Sequence, residues 1–522
     1  MGRAWRDGVA DGQAALLPVG VRDLLPAGHL AFDIVTAVER FDLSGFEQAY
    51  RADGRGRPPY HPRVMVALLL YCRAKGLMSG RQVAAACHDD LGARLITGNR
   101  YPDRSTIDRF HEVHESAIHA LLPQTLRLAR EAGLVDVRVV AGDGTKIAAN
   151  AAKDATVDEA ALLEQIADLH EAVQAAHRQW AALAADTTEQ PDHHTPTLFD
   201  GLDGLDGLDG SGVAGMPDAV TAAGRKVQAL TGMLQRRRQA LAWLREHPNG
   251  DHTAWQQRLD RDRQRVQTAT DHLEQTLTAV QAVHDRRAQA AATGRKLPGP
   301  ATARVDDDSR VVRARDRLAK ATTRAQNTQA TPPTSKVNTT DPSSAIMPSK
   351  HGGYDQNHNV QAMASKDQLI LAIGTHLNAT DTGALPALTR NTRTNLDTAG
   401  ITETIGTALF DSGYASETNF TTDLPITTLL VGVHPSGGNN AATTTLPPAW
   451  QPMANQLTQP DNAKLYRQRA AIIEPVFAHL FNRFDRTLFA RHRTVDTELH
   501  LWAATHNLLK IRQHTRHRRR HR

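Results

Sequence analysis

The chain has 522 residues, 61 Lys and Arg against 56 Asp and Glu, a formal net charge of +5 and 40% hydrophobic residues. This length corresponds to roughly two to four domains, and the presence of only two cysteines, Cys72 and Cys87, excludes a disulfide scaffold and a zinc ribbon. Neither a run of about 18 apolar residues nor an apolar signal core occurs, so we expect a cytoplasmic protein without a membrane span.

The positive charge is concentrated at the C-terminal end. Residues 461–522 hold 14 Lys and Arg against 5 Asp and Glu, whereas the first 460 residues hold 47 against 51. A basic segment on a near-neutral body predicts a polyanionic partner, most simply nucleic acid. For residues 512–522, which contain six arginines and three histidines, a solvated tail is the alternative.

Residues 20–130 have the pattern of consecutive short helices. Apolar residues recur every three or four positions, and Ser79 and either Asp103 or Ser105 stand where helix N-caps are expected. Short capped helices in series resemble a helix-turn-helix arrangement, although a plain helical bundle has the same pattern. The candidate DNA-contacting residues lie on one predicted helix: Arg104, Ser105, Thr106 and Arg109.

A β-branched run at 134–141 predicts a buried strand that ends just before Asp143. The following segment, 151–337, differs in kind because its apolar residues form heptad seams at 162–183, 227–241 and 259–280. A turn signal at 247–250 predicts that the second and third seams form a helical hairpin. We expect loop-like linkers at 186–218 and 293–337.

Beyond residue 354 the pattern is that of a mixed α/β region. Asp411 directly follows one predicted strand, and Glu474 lies within the last predicted helix, where Pro475 predicts a kink. The predicted elements are strands at 359–364, 368–373, 405–410 and 425–433, and helices at 382–390 and 463–484.

Three carboxylates, Asp143, Asp411 and Glu474, form a candidate metal site. Carboxylates that follow adjacent strands of one sheet can converge, and a helix on that sheet can present a third. Hard divalent cations prefer such oxygen ligands, and two ions about 4 Å apart stabilise both oxygens of a phosphoryl displacement. Taken singly, each acid is more often a turn or cap residue.

The sequence around these acids resembles a known family. Residues 140–150 read VAGDGTKIAAN, residues 411–414 read DSGY, and residues 466–477 read YRQRAAIIEPVF. Together they are similar to bacterial insertion-sequence transposases of the DDE class. The likeness is to the IS-four/IS-five clan, particularly its IS-eleven-eighty-two-like branch with a helical N-terminal domain. Further similarity lies at 60–65, 338–342, 353–361 and Asp381.

The resemblance implies an α/β ribonuclease H-like catalytic core, a mixed sheet with flanking helices. An all-α domain would precede this core, and a helical coiled-coil insertion would interrupt it. The implied boundaries are 1–130 for the DNA-binding domain, 131–150 and 338–510 for the core, 151–337 for the insertion, and 511–522 for a basic tail.

The implied activity is cleavage and joining of DNA at the ends of a mobile element. Asp143, Asp411 and Glu474 would bind Mg²⁺ or Mn²⁺, with two ions expected. Tyr466, Arg469 and Arg483 would contact DNA, although Tyr466 could instead pack against the sheet. Double-stranded DNA would be the partner, as terminal inverted repeats and target, and pairing two ends suggests a homodimer or larger assembly in the nucleoid.

The sequence departs from the family pattern at Ser343-Ser344, which replace an acid-containing stretch common in relatives, and at a position after the Glu. Relatives often carry a Lys seven residues after the Glu, and this chain has Phe481 there. A catalytically inactive or domesticated DNA-binding relative is therefore the alternative function. A purely structural coiled-coil protein is a third hypothesis, in which residues 151–295 would carry the function and the acids would be accidental.

Overall fold

A computed structural model describes residues 21–50, 58–186, 218–247, 252–295, 304–330, 334–348, 352–433, 446–484 and 495–520. The chain forms two compact units. The first combines 1–156 with 338–522, and the second is 157–337. The second unit has nearly the bounds predicted for the insertion, whereas the N-terminal helices and the sheet share the first unit.

In the described part of residues 1–131, the first unit has eight helices. Their bounds are α1 (Leu30–Val38), α2 (Ser44–Glu47), α3 (Pro62–Ala74), α4 (Gly80–Asp89), α5 (Leu91–Thr97), α6 (Arg104–Val113), α7 (Glu115–His119) and α8 (Leu121–Glu131). The described residues of the C-terminal part include the helices α13 (Leu385–Thr398), α14 (Glu417–Thr421), α15 (Gln451–Thr458), α16 (Pro460–Tyr466), α17 (Arg469–Phe484) and α18 (Val495–Arg520).

The N-terminal helices follow their sequence signals. The side chains of Ser79 and Asp103 cap α4 and α6 as predicted. The apolar helix α3 is buried along its length, in a core that also includes Leu501, Ala504 and Leu508 of α18. Neither α3 nor any other helix in the described ranges is long and apolar enough to cross a membrane.

A six-stranded mixed sheet forms the centre of the first unit. Its strands are β1 (Val139–Ala148), β4 (Ala345–Pro348), β5 (Tyr354–Ser365), β6 (Ile370–His376), β7 (Ile405–Phe410) and β8 (Ile426–Val431). The order is β4-β5-β1-β7-β8, and β6 also pairs with β5. The pairs β1–β5, β4–β5 and β5–β6 are antiparallel, whereas β1–β7 and β7–β8 are parallel. The predicted combination of helices with a mixed α/β sheet is thus confirmed.

The first strand differs from its prediction. It runs from Val139 to Ala148, so Asp143 is its fifth residue and does not follow its end. The reason is the long partner β5, which pairs with β1 from Val140 to Ala148 and continues the hydrogen-bond ladder past the two glycines.

The C-terminal helices also differ from their predictions. The expected single helix at 463–484 is divided into α16 and α17, and α17 continues through Pro475. Helix α18 extends to Arg520, so the predicted boundary between core and tail at 510 falls inside this helix. Its apolar residues pack on the N-terminal helices, which gives the basic segment up to Arg520 a helical framework.

The second unit contains the helices α9 (Glu159–Asp186), α10 (Asp218–Glu246), α11 (His252–Ala292) and α12 (Ser309–Ala330). The short strands β2 (Thr156–Asp158) and β3 (Lys336–Asn338) pair at its entry and exit. The predicted hairpin is wrong in its pairing, because α10 packs on α9 and α11 packs on α12. Helix α12, within a predicted linker, buries only Val311 and Ala314, a stripe too sparse to recognise among its charged residues. Of the predicted turn at 247–250, residues 248–250 lie outside the described ranges.

Candidate active site

Asp143 and Asp411 lie side by side at one edge of the parallel strands. The β1–β7 ladder pairs Ala141 with Leu409, so the register carried two residues further places Asp143 level with Asp411. Asp143 Oδ1 accepts a hydrogen bond from the backbone N–H of Gly144 at 2.8 Å. Asp411 Oδ1 accepts one from Gly413 at 2.9 Å. The predicted convergence of these two acids therefore occurs, although Asp143 lies within its strand.

The Asp143 carboxylate is in an unfavourable electrostatic environment. Burial raises its pKa above the ordinary value, the negative charge of Asp411 raises it further, and the Gly144 N–H and the Arg469 guanidinium oppose these effects. Arg469 Nη1 lies 3.4 Å from Asp143 Oδ2. Mutual repulsion between two carboxylates is what a bound cation relieves, so this pair fits a hard divalent ion.

Two glycines allow the close packing around Asp143. A Cβ atom on Gly142 would lie 2.2 Å from the Phe410 ring. A Cβ atom on Gly144 would lie 2.4 Å from Gln361 Nε2 and 2.7 Å from an Asp381 oxygen. Only glycine at these positions lets β1 approach its neighbours this closely.

Asp381 is a further carboxylate at this site. Its Oδ1 accepts hydrogen bonds from Asn359 Nδ2 at 2.9 Å and Gln361 Nε2 at 2.7 Å. Its Oδ2 lies 3.3 Å from the position of a Cβ on Gly413, beside the Asp411 turn. Sequence reasoning noted Asp381 only as part of the family resemblance. The available signal was the pair of amide residues, Asn359 and Gln361, two positions apart in the predicted strand 359–364, whose other residues are apolar.

A buried network holds Asp381 against the Asp411 turn. The Tyr414 hydroxyl donates to Gln361 Oε1, whose amide nitrogen donates to Asp381. Asn419 Nδ2 donates to the carbonyl oxygens of Thr382 and Tyr414, both at 2.7 Å. Burial raises the pKa of Tyr414 well above its ordinary value, and the charges of the neighbouring acids raise it further, so the hydroxyl stays a donor.

Glu474 is an exposed residue of helix α17. Its helix α17 packs on β1 and β5, with Ile472 and Ile473 in the core, but the Glu474 side chain is exposed. Within the described ranges, no contact joins it to Asp143 or Asp411. Nor do the carboxylates of this site include three with oxygens all within 4.8 Å of one another. The structure thus brings together two of the three predicted acids.

The predicted DNA-contacting residues of α16 and α17 face the sheet where their side chains are described. Tyr466 donates its hydroxyl to the carbonyl oxygen of Phe410 at 3.1 Å, which is the packing alternative. Arg469 contacts Asp143. Arg483 is in the last turn of α17, and its side chain lies outside the described residues. Phe481 is half-buried, and its ring stacks on that of Phe477 with the ring centroids 6.0 Å apart. The residue at this position therefore packs on the core.

Helix α6 presents a polar surface. Arg104, Ser105 and Arg109 are exposed, and Thr106 is half-buried. Arg104 Nε lies 3.1 Å from Asp108 Oδ2 one turn further along the helix. The N-terminal turn is ordered by Asp103, which accepts hydrogen bonds from the Ser105 hydroxyl at 2.9 Å and from the Thr106 N–H at 2.7 Å. The helix therefore offers two exposed arginines, Arg104 in its capped first turn and Arg109 in its second turn.

A basic groove of about 630 Å³ runs between α17 and α18. Pro475, next to Glu474, is at its wall, and its cationic or titratable lining residues are His479, Lys510, Arg512, Arg516 and His517. Lys510 Nζ donates to Gln368 Oε1 at 2.6 Å, and Arg512 Nε lies 2.6 Å from Asp33 Oδ2. Sequence reasoning assigned Arg512, Arg516 and His517 to a basic tail and His479 and Lys510 to the core, and it did not predict a groove.

Comparison with known proteins gives one match. The family model described as a transposase domain (DUF772) matches residues 20–112, which include α1 to α5 and most of α6. The match supports a relationship to transposases. No curated protein and no solved structure matches the chain.

Proposed function

We propose that the protein is an insertion-sequence DNA transposase that binds element ends and catalyses metal-dependent strand cleavage and strand transfer. The observation that carries this proposal is the adjacent pair Asp143 and Asp411 at the edge of two parallel strands. The transposase-domain match at 20–112 supports it from a separate part of the chain. The motifs around the acids favour the IS-eleven-eighty-two-like branch of the IS-four/IS-five clan.

The sheet supports a ribonuclease H-like core. Strands β1, β5 and β6 pair antiparallel, and β7 and β8 follow on the other side of β1 as parallel strands. The helical unit 157–337 enters between β1 and β5, where the resemblance implies an interruption. In this proposal the cytoplasmic nucleoid is the working environment.

Asp143 and Asp411 would hold Mg²⁺ or Mn²⁺, and Glu474 would complete the site from α17. Two such ions, when bound, supply charge stabilisation for the attacking and leaving oxygens of a phosphoryl transfer. Asp381, held by two amide donors, is placed to serve as an additional ligand. Arg469 opposes the pKa rise of Asp143 and so favours the ionised form that a metal needs.

DNA would contact two basic surfaces in this proposal. The exposed arginines of α6 are suited to reading element ends. The groove between α17 and α18 is suited to the phosphate backbone, because it begins beside Glu474 and its cations can neutralise phosphates. Pairing of two element ends would need at least two copies of the chain.

The test compares acid variants in a cleavage assay on an element-end duplex with Mg²⁺. Asp143→Asn and Asp411→Asn should each lower cleavage by about a thousandfold or more while retaining DNA binding, because a shared site fails when one ligand is lost. Glu417→Gln, which alters an exposed acid on α14, is the matched control and should cleave normally. Near-normal cleavage by either aspartate variant would overturn the proposal.

The same assay identifies the third carboxylate. If Glu474 completes the triad, Glu474→Gln should be as inactive as Asp143→Asn, and Asp381→Asn should retain partial activity. The reverse ranking would assign the third ligand to Asp381. A wild-type chain that binds element ends but shows no metal-dependent cleavage would favour the inactive relative, for which the packed Phe481 and the exposed Glu474 are the supporting observations.

A further inference from the structure

Two histidines and an aspartate form a cluster separate from the acidic site. His119 is the last residue of α7, and Asp496 and His500 lie one turn apart near the start of α18. One potential ligand atom from each lies within 4.8 Å of the other two, the only such group of three within the described ranges. All three side chains are half-buried. The transposition chemistry proposed above does not use them.

Hydrogen bonds fix the tautomer of both imidazoles. His500 Nδ1 lies 2.8 Å from the carbonyl oxygen of Asp496, which can only accept, so Nδ1 donates and Nε2 keeps its lone pair. The Thr497 hydroxyl donates to Glu115 Oε1 at 2.8 Å. His119 Nε2, at 3.2 Å from the same hydroxyl oxygen, therefore donates to it, and Nδ1 keeps the lone pair.

These contacts are those of oriented metal ligands. A metal-binding histidine usually donates its other ring N–H to an oxygen, which sets its orientation and basicity. The carboxylate is oriented as well, because Asp496 Oδ1 accepts from the backbone N–H of Thr375 on β6 at 3.0 Å. Its second oxygen, Oδ2, lies beside the His500 imidazole, 3.7 Å from the Nδ1 atom that donates to the Asp496 carbonyl oxygen. Helix α7, helix α18 and strand β6 thus hold one cluster.

We propose that His119, Asp496 and His500 bind a divalent transition-metal ion, of which Zn²⁺ is the representative. Two imidazoles and one carboxylate favour Zn²⁺ or Co²⁺ over Mg²⁺. With metal–ligand bonds of about 2.1 Å, tetrahedral ligands are about 3.4 Å apart. The two imidazole rings are stacked with their centroids 4.1 Å apart, so one ring must rotate for both lone pairs to point at the same ion. Water would take the fourth position, and the ion would cross-link α7 to α18.

Co²⁺ binding to the full chain tests this site, because tetrahedral Co²⁺ absorbs visible light. The wild type and the control His170→Gln, an exposed histidine of the second unit, should bind Co²⁺ equally. His119→Gln and His500→Gln should each lower the Co²⁺ affinity, measured from the tetrahedral absorption, by more than about tenfold. Asp143→Asn should leave it unchanged, which separates this site from the proposed catalytic one. Equal Co²⁺ affinity in the histidine variants would overturn the proposal.

A second measurement uses the wild type alone and so does not depend on the folding of a variant. Diethyl pyrocarbonate modifies accessible imidazoles, and peptide mapping reports each histidine separately. Zn²⁺ should slow modification of His119 and His500 but leave the exposed His170 unaffected. Identical modification rates with and without Zn²⁺ at both histidines would refute the site, and protection spread over all histidines would indicate non-specific binding and refute it too.

Discussion

The side chains that position Asp381 show how the polar part of the site is kept rigid. Gln361 is buried, yet its amide is fully used, since it accepts from Tyr414 and donates to Asp381 and Asn359. A buried amide with every group paired stabilises one arrangement of its neighbours. Asp381 is therefore held in one orientation, with Oδ1 engaged and Oδ2 directed to the side of the Asp411 turn.

His114 predicts how stability responds to acid. Its imidazole ring is buried against the rings of Phe46, Phe110 and Tyr50. This burial lowers the pKa of His114 from 6.5 to about 4. The unfolded chain therefore binds a proton between pH 6.5 and 4 that the folded chain does not bind. The contribution of His114 to the free energy of unfolding should therefore fall as the pH decreases across that interval, by up to about 1.4 kcal/mol per pH unit.

Urea unfolding of wild type and His114→Gln at several pH values measures this slope. The variant is less stable at neutral pH because it loses packing, but its stability should fall less steeply between pH 6.5 and 4. If the free energy of unfolding of the variant and of the wild type fell equally steeply with decreasing pH, His114 would not be the source of the slope. The exposed His88→Gln serves as the control and should reproduce the wild-type slope.

At the residue scale, sequence reasoning succeeded where local pattern fixes position. Asp143 and Asp411 were predicted to converge because both belong to neighbouring strands with recognisable β-branched or apolar runs. Asp381 was missed as a site residue because its position depends on Gln361 and Asn419, which come from other elements. Tyr466 and Arg469 were predicted to be helical on one helix, whereas they lie on α16 and α17, and the direction of their side chains depends on how those two helices pack.

At the scale of elements, α18 joins parts of the chain that are far apart in sequence. Glu498 on this helix forms a two-point hydrogen-bonded ion pair with Arg73 on α3, at 2.9 and 3.1 Å, and both side chains are buried. Arg73 also donates to the Leu77 carbonyl oxygen at 2.8 Å. The C-terminal helix is thereby bound to the N-terminal helices through polar as well as apolar contacts.

Removing one member of this pair should be costly. Arg73→Met leaves the buried Glu498 carboxylate without its main partner, so the free energy of unfolding should fall by about 3–5 kcal/mol. Chemical denaturation measures the change. The double variant Arg73→Met/Glu498→Leu should lose much less than the sum of the single variants. Additive losses would mean that the two side chains contribute independently.

Helix α6 gives a separate prediction about DNA. The double variant Arg104→Ala/Arg109→Ala should reduce the preference for element ends over random DNA, because exposed arginines that read bases each contribute about 1–3 kcal/mol of discrimination. Arg81→Ala, at an exposed position on α4, is the control and should keep the preference. Competition binding with both DNAs measures the ratio. An equal loss on both DNAs would assign α6 to phosphate contacts alone.

At the scale of the whole molecule, the two units are separable in sequence. The second unit has its own small core, in which Leu162, Ala240, Leu244 and Val337 are buried. Its helix pairs are joined by polar contacts such as Arg324 with Asp262 at 3.1 Å and Arg237 with Gln165 at 2.8 Å. These features indicate that the helices of this unit stabilise one another.

Replacing residues 159–335 with a short Gly/Ser linker should leave a soluble, folded first unit. Loop closure costs little because its entropy grows only logarithmically with length. Thermal unfolding followed by circular dichroism and Mg²⁺ binding by calorimetry measure the outcome, with the full chain as control. We expect the variant to bind Mg²⁺ but to assemble paired element ends poorly. An insoluble product, or one that does not bind Mg²⁺, would show that the helices contribute to the first unit.

Asn338 links the segment by which the chain leaves the sheet after β1 to the segment by which it returns. Its side-chain amide donates to the Ala152 carbonyl oxygen at 2.7 Å and to Thr156 Oγ1 at 3.1 Å, and the N–H of Thr339 donates to the Ala155 carbonyl oxygen at 2.9 Å. The two chain ends that remain when residues 159–335 are removed are therefore about one strand spacing apart, roughly 5 Å. This junction is therefore a suitable site for inserting a foreign domain. A domain whose own termini are close together, such as a fluorescent reporter, would be connected to the chain at both ends.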